Sequence, residues 1–310
     1  MVKSFYVSVL CVVCGALVGC GNYVSYDGDA SAVEVESMPV VLEDAPKFKQ
    51  LDHLTFAGVL AAYSSTSTDQ NYVVLDYASM SQSEEALYEL ERYAALLASI
   101  DPLTLESEDE RFAFFINAYN VSVIRGVLER FDGDASGFSV LESEGFFKDR
   151  LYTVGGQTLS LDQVENLVMR GKFEDATQTA GLDDATLVVL RSWFDAVFPD
   201  GVVDARLHAA VNCGALGCPN LNDSAPFVYQ ATQLDAQLEQ ATARWLSNAE
   251  KGAGPDGISM IFTWFVDDFN QDAGSVEAFI AAHREGGIDG VSLDDRLDYD
   301  WSLNSLENVD

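Results

Sequence analysis

The chain has 310 residues, of which 50 are Asp or Glu and 17 are Lys or Arg, so its formal net charge is −33. Because 48% of the residues are hydrophobic and 11% are aromatic, the chain has the material for a packed core, which excludes a disordered acidic protein. The charge also excludes nucleic acid as an expected partner, since phosphates would be repelled and no basic stripe offsets the repulsion.

The N-terminus has the pattern of an export signal. Lys3 precedes an apolar run, Phe5 to Val18, that is short for a membrane span. The run ends in Leu17-Val18-Gly19-Cys20, which resembles the lipobox of bacterial lipoproteins, where the Cys is acylated and becomes the new N-terminus. We therefore predict a lipoprotein signal peptide over 1–20. An ordinary secretory signal cleaved nearby, or an uncleaved short hydrophobic helix, is the alternative.

Lipidation at Cys20 would supply the membrane attachment, with palmitate-type chains, because no later stretch approaches eighteen apolar residues without a charge. The residue after it is Gly21 rather than Asp. By the same resemblance, Gly21 favours the periplasmic face of the outer membrane. Residues 21–46 are rich in Asp, Glu, Ser and Gly without a sustained period, which predicts a flexible acidic tether.

The remaining residues, 47–310, are predicted to form a single domain of the α+β class, rich in helix and carrying a small β-hairpin. The clearest helix is Glu108–Phe131, which has an apolar face, acids at its start and Arg residues toward its end. Gly155 and Gly156 separate two β-like runs and predict a hairpin. Ser160 and Gln163 then form the capping-box pattern that starts a helix.

Apolar spacing predicts the other elements. The predicted helices are Phe48–Tyr63, Ser83–Ser99, Ala185–Phe198, Thr232–Ala249 and Ser275–Arg284, and the predicted strands are Tyr72–Tyr77 and Ile258–Phe265.

Five blocks of the sequence combine aromatic, polar and turn residues in a fixed order. They are Phe114–Asn120, Gly155–Glu165, Asp204–Pro219, Trp264–Phe269 and Tyr299–Asn304. In order and spacing these blocks resemble the domain-of-unknown-function family 547, over most of the chain from about Leu54 onward. The resemblance implies an exported or lipidated bacterial protein and implies no established activity. The chain departs from the family pattern in Phe115, where Trp is common, and in Ala205, where Pro is common.

Five cysteines are present, but Cys11 and Cys14 would leave with the signal and Cys20 would carry lipid. Only Cys213 and Cys218 then remain in the domain. Their C-x4-C spacing, with two glycines between them, allows a disulfide in an oxidising envelope.

Reactive side chains are densest around this pair, and three interpretations stay open. Cys213 could be a nucleophile with His208 as its base and Asn120 or Glu165 orienting the imidazole. His208, Cys213 and Cys218 could instead bind a metal with a fourth ligand from elsewhere, although the spacing matches no common zinc pattern. The third interpretation is a disulfide that stiffens the loop, with His208 and Arg206 hydrogen-bonded inside the domain.

Glu165 stands beside apolar residues on a predicted helix, so an inward carboxylate would need a cationic partner, and Arg206 is the expected one. With His208 these two could surround a pocket suited to acid–base chemistry. The alternative is that Glu165 is an exposed helix carboxylate or belongs only to a structural ion pair. Asn117 and Asn120 lie three residues apart on one helix face. Together with Asn212 they could line that pocket, or satisfy backbone groups at a packed junction.

The aromatic residues near the C-terminus also allow two interpretations. Trp264, Tyr299 and Trp301 could bind an aromatic or sugar ligand, or belong to the core. The sequence predicts no cofactor. We expect an exported envelope protein with a binding or interaction role, and leave open whether it is an enzyme. The alternatives are a cysteine-dependent hydrolase or acyl-transfer enzyme using Cys213 and His208, and a metal site at His208, Cys213 and Cys218.

Overall fold

A computed structural model of the chain describes residues 53–69, 71–149 and 152–309. The predicted signal peptide with Cys20, the tether, and the first residues of the predicted helix 48–63 lie outside this range. The α-helices of the described part are α1 (Leu54–Tyr63), α2 (Tyr77–Ser81), α3 (Glu84–Ser99), α4 (Glu108–Arg130), α5 (Leu161–Gln163), α6 (Ala176–Thr179), α7 (Asp184–Val197), α8 (Leu207–Ala210), α9 (Leu234–Ser247), α10 (Ile261–Trp264), α11 (Val266–Ala273) and α12 (Val276–His283).

The described strands form three two-stranded antiparallel sheets. The pairs are β1 (Ser64–Thr66) with β2 (Val73–Leu75), β3 (Tyr152–Val154) with β4 (Gln157–Leu159), and β5 (Ala253–Gly254) with β6 (Gly257–Ile258). Short 3₁₀ turns at Pro102–Thr104, Ala231–Gln233 and Leu306–Asn308, and a π-helix at Val164–Met169, complete the set. The prediction of a helix-rich α+β domain is confirmed, and its β-structure comprises three small hairpins.

Helix α4 lies at the centre of the larger of two hydrophobic clusters. Its N-cap Ser107 accepts a hydrogen bond from the backbone of Glu110, and three acids fill the first turn, where they complement the helix dipole. Nearly every residue between Phe112 and Val127 is buried. The predicted apolar face is therefore part of a helix that is enclosed on all sides, as expected for the central helix of a domain.

The second hydrophobic cluster is aromatic and belongs to the C-terminal helices. The Phe262 ring lies 4.9 Å from Trp245 and 4.7 Å from Phe269, and Phe269 lies 4.8 Å from Phe279. These contacts fasten helices α9 to α12 to one another.

The predicted strand Ile258–Phe265 is wrong. Pairing stops at Ile258, the last residue of β6, and the chain turns into helix α10 at Ile261. Ile261 and Phe262 are both buried, and a short run of consecutive apolar residues has no period that separates a buried strand from a buried helix.

The C-terminal segment crosses the loop that carries Cys213 and Cys218. Leu216 donates a backbone hydrogen bond to Ser302, and Asn304 donates one to Gly214. Gly217 is required at this crossing, because a Cβ atom there would lie 2.9 Å from the backbone nitrogen of Asp300. The crossing positions Tyr299 and Trp301 against the loop. Across the described residues, no helix is long and apolar enough to cross a bilayer.

Candidate functional site

A cavity of about 280 Å³ lies where the central helix, the π-helix, the cysteine loop and the C-terminal segment meet. The lining residues come from both hydrophobic clusters and from the segments between them. They are Tyr119, Phe147, Asp162, Glu165, Asn166, His208, Val211, Cys213, Cys218, Pro219, Ile261, Trp264, Phe265, Tyr299 and Trp301.

One side of the cavity is an aromatic wall formed by Trp264, Tyr299 and Trp301. The ring centroids of Trp264 and Tyr299 lie 4.8 Å apart, and those of Tyr299 and Trp301 lie 4.6 Å apart. Trp264 keeps 41% of its surface exposed, whereas large aromatic residues of a core are usually covered. The interpretation that these three residues belong only to the core therefore does not explain the exposure of Trp264.

A carboxylate pair, Asp162 and Glu165, lines the cavity from the segment that begins at the capping box. Ser160 and Gln163 make both reciprocal hydrogen bonds of that box, as predicted. The helix then widens into the π-helix Val164–Met169, which carries Glu165. Insertions of this kind are frequent at functional sites, because they redirect side chains from the regular helical surface.

The two carboxyl groups differ in their partners. Glu165 accepts a hydrogen bond from the Tyr119 hydroxyl; burial raises its pKa, and the charge of Arg170 and this hydrogen bond only partly oppose the shift. Burial also raises the pKa of Asp162, with Lys148 opposing. Among the described residues no group donates a hydrogen bond to the Asp162 carboxylate, so this acceptor stands unused beside the cavity.

His208 lies on the short helix α8, and its ring stacks on Phe265 at 4.2 Å between centroids. Its Nε2 lies 3.0 Å from Oδ2 of Asp268. A carboxylate can only accept, so Nε2 carries the proton. The Nδ1 atom is buried and has no hydrogen-bond partner among the described residues. Burial lowers the pKa of His208 although Asp268 opposes the shift, which keeps the ring neutral at pH 7.

Asp268 on helix α11 contacts two cationic side chains, Arg170 and Lys172, in addition to His208. Arg170 Nε lies 2.5 Å from its Oδ2, and Lys172 Nζ lies 2.7 Å from its Oδ1 without hydrogen-bond geometry. Burial alone would raise the pKa of Asp268, but the hydrogen bonds from His208 and Arg170 hold it below its usual range. We refer to Asp268, Arg170, Lys172 and His208 as the buried network.

The expected pair of Glu165 and Arg206 is not formed. Arg206 Nη2 lies 2.8 Å from Asp204 and its Nη1 lies 2.9 Å from Asp235. Arg206 is the N-cap residue of helix α8 and points to the surface, whereas His208 on the first turn points inward. The cation that lowers the pKa of Glu165 is Arg170. The sequence alone identifies neither Arg170 nor Asp268 as a site residue.

Cys213 and Cys218 form a disulfide, as the third interpretation predicts. The Tyr299 hydroxyl lies 3.3 Å from the Cys213 sulfur and 3.0 Å from the Cys218 sulfur, so the aromatic wall rests on the bridge. With both sulfurs bonded, Cys213 offers no thiolate. No group of three or more metal-ligating side chains suited to an ion occurs within the described residues.

The three predicted pocket asparagines hold backbone groups in place and do not line the cavity. Asn117 exchanges two hydrogen bonds with the backbone of Tyr229. Asn120 bonds Ala210 and the amide of Asn212, and Asn212 in turn bonds the backbone of Pro219. Asn120 and Asn212 thereby join helix α4 to the cysteine loop, and Asn117 joins the helix to the segment at Tyr229, which matches the alternative of a packed junction.

Comparison with known proteins gives a similarity to one family and no activity. Residues 103–246 match the family model described as protein of unknown function, DUF547. No curated protein and no solved structure matches the chain. The matched segment contains the blocks at 114–120, 155–165 and 204–219 on which the resemblance depends. The region from 103 to 246 is therefore similar to the DUF547 family of proteins of unknown function.

Proposed function

We propose that the protein is exported, anchored to the envelope through lipid on Cys20, and binds a small molecule in the cavity of its domain. The cavity carries the proposal, since it combines an aromatic wall with two carboxyl groups, Asp162 and Glu165, in one concave site. Ligand sites combine these features, with apolar surface supplying affinity and a few polar groups fixing orientation.

Binding explains the site better than cysteine catalysis does. The hydrolase or acyl-transfer alternative needs a Cys213 thiolate, and the sulfur of Cys213 is bonded to Cys218. His208 is held by Asp268, but its remaining nitrogen is buried. A general base must reach the proton that it removes, and Nδ1 does not meet solvent in this conformation.

The lipid anchor can be tested with the full chain expressed in a bacterial envelope with radiolabelled palmitate. We expect the label on the wild-type protein and not on Cys20→Ser, which should leave the detergent phase in a two-phase extraction. Cys14→Ser, a cysteine of the same apolar segment, is the matched control and should remain labelled. Label on Cys20→Ser at the wild-type level would contradict the anchor.

The binding proposal can be tested by ligand-observed NMR with a library of neutral and charged fragments. Val211→Phe narrows the cavity, and we expect fragments that bind the wild type to lose their signal with this variant. Leu141→Ala, at an exposed site away from the cavity, should bind like the wild type. Should Val211→Phe fail to fold, Glu165→Gln replaces it. Fragments that bind both cavity variants unchanged would place the site elsewhere.

A further inference from the structure

The geometry of the aromatic wall restricts the kind of ligand that it can contact. The third pair, Trp264 and Trp301, has a centroid distance of 5.8 Å and an interplanar angle of 34°, and the other two pairs are closer still. Rings at these distances touch one another, so no space remains between them for an ammonium group. A cage around a quaternary amine is thereby excluded, and the three rings present one continuous apolar surface.

The polar part of the cavity lining calls for a ligand with hydrogen-bond donors. The Asp162 carboxylate has no donor among the described residues, and Glu165 has Tyr119. Asn166 donates to the backbone carbonyl of Asp162 and accepts from Arg170, and so retains one further N–H. A ligand that brings hydroxyl groups would satisfy these acceptors, whereas an apolar ligand would leave them desolvated and unpaired.

Charge excludes a further class of ligand. The lining contains two carboxyl groups, and none of the described residues that line the cavity is a Lys or Arg. Arg170 and Lys172 lie nearby, but both are engaged by Asp268. Lys148 acts on Asp162 from an exposed position outside the lining, where solvent weakens its effect. A phosphorylated or carboxylated ligand would therefore meet two carboxyl groups that no cation of the lining offsets.

An amphipathic ring with one apolar face and a rim of hydroxyl groups fits both sides of the cavity. The volume of about 280 Å³ is on the scale of a single six-membered sugar ring rather than a chain of them. Trp264 stands partly exposed, so substituents on such a ring can extend into solvent past it.

We infer that the cavity binds one pyranose ring, uncharged or bearing an ammonium group, with its C–H face on the aromatic wall and its hydroxyl groups toward Asp162 and Glu165. The inference rests on the proposed binding function and names its ligand class. Trp264 supplies the stacking surface, and Asp162 is the residue that discriminates among sugars by charge.

The test titrates the full chain, in a detergent without sugar headgroups, with methyl glucoside, N-acetylglucosamine, glucosamine and glucuronic acid. Binding is followed by saturation-transfer NMR and by tryptophan fluorescence. We expect the uncharged sugars and glucosamine to bind, and glucuronic acid to bind about ten-fold more weakly or not at all. Trp264→Ala should weaken the binding of every sugar about ten-fold. Asp162→Asn should weaken glucosamine more than methyl glucoside.

Val266→Ala removes another exposed apolar side chain two residues from Trp264, lies outside the cavity lining, and should leave sugar binding unchanged. Equal binding of glucuronic acid, or wild-type sugar affinity in Trp264→Ala, would overturn the inference. If fragments occupy the cavity and none of the four sugars does, the ligand class is wrong and the proposed binding function stands. If neither fragments nor sugars bind, both fail.

Discussion

Two buried charged groups in this domain have opposite environments. Asp268 has a fully buried side chain and is paired with Arg170, Lys172 and His208. Lys251 is 6% exposed, and its partners are neutral.

The neutral partners of Lys251 are two oxygens and a ring. Its Nζ donates to the carbonyl of Leu216 at 3.1 Å and to Asn220 Oδ1 at 2.7 Å. The same nitrogen lies 4.6 Å from the centroid of the Tyr72 ring. Burial lowers the pKa of Lys251 to about 7, and the more distant carboxylates of Glu250 and Asp300 only partly oppose this.

The difference teaches that the partners decide whether a buried group stays charged. Burial disfavours the ionised form of both groups. At Asp268, the hydrogen bonds from His208 and Arg170, together with the charge of Arg170, outweigh that cost and hold the carboxyl ionised well below pH 7. At Lys251, hydrogen bonds to neutral oxygens do not outweigh it, so the ammonium loses its proton near neutral pH. The predictions below separate the two cases, starting with the largest expected effect.

Asp268→Asn should have the largest effect on stability. The substitution removes the only carboxylate paired with Arg170 within the described residues, and the side chain of Arg170 is 9% exposed. Removing one partner of a buried ion pair leaves an uncompensated charge, which costs about 3 to 5 kcal/mol. We expect the free energy of unfolding, measured by urea denaturation at pH 7, to fall by that amount.

The control for this substitution is Asp235→Asn, which breaks a carboxylate–Arg pair at the surface. The side chain of Asp235 is 89% exposed, so its loss should change stability little. Equal losses for Asp268→Asn and Asp235→Asn would show that burial does not set the strength of these pairs.

The second prediction concerns the pH dependence of stability at Lys251. Since its pKa is about 7 in the folded protein and 10.5 in the unfolded chain, the unfolded chain binds more protons between these values. This group therefore makes the protein more stable as the pH rises from 7. We expect wild type to gain about 2 kcal/mol relative to Lys251→Met between pH 7 and 9.

Urea denaturation at pH 6, 7, 8 and 9 measures this difference. Lys148→Met, which changes an exposed lysine, is the matched control and should follow the wild-type curve. Parallel curves for wild type and Lys251→Met would mean that Lys251 keeps its proton when buried.

The features that the sequence predicted correctly are formed by residues close to one another in the chain. The capping box at Ser160 and Gln163 and the hairpin at Gly155 and Gly156 are local arrangements, and both are confirmed. The disulfide of Cys213 with Cys218 closes a loop of a few residues and is also confirmed.

What the sequence did not reveal depends on tertiary contacts. Asp268 follows His208 by 60 residues, and no local pattern connects them. Arg206 and His208 stand two residues apart and were expected at one pocket. Residues two apart on a helical turn face in different directions, so Arg206 at the N-cap of helix α8 reaches the surface and His208 points inward. A buried His is expected to have a hydrogen-bond partner, but this expectation does not identify which residue of the chain is the partner.

Reduction of the disulfide should affect Lys251 more than the buried network. The closed loop is short, so chain entropy assigns the bridge about 2 kcal/mol of stability. Leu216, which accepts from Lys251, lies inside this loop. We expect the double variant Cys213→Ser, Cys218→Ser to lose that stability and to flatten the pH 7 to 9 rise assigned to Lys251. Reductant should reproduce the effect in wild type and change nothing in the double variant.

The smallest expected change in stability is at Arg206, whose ion pairs lie near the surface, in contrast to those of Asp268. Its side chain is 18% exposed, and it shares its charge between Asp204 and Asp235. Removing Asp235 leaves Asp204 in place, so Asp235→Asn should cost about 1 kcal/mol or less. The Debye length, beyond which exposed charges are largely screened, falls from about 8 Å at physiological ionic strength to about 3 Å in 1 M salt. This cost should therefore vanish in 1 M NaCl, whereas the cost of Asp268→Asn should persist. If Asp235→Asn still lowers the stability in 1 M NaCl, the Arg206 ion pair is shielded from salt like the buried network, and the prediction is wrong.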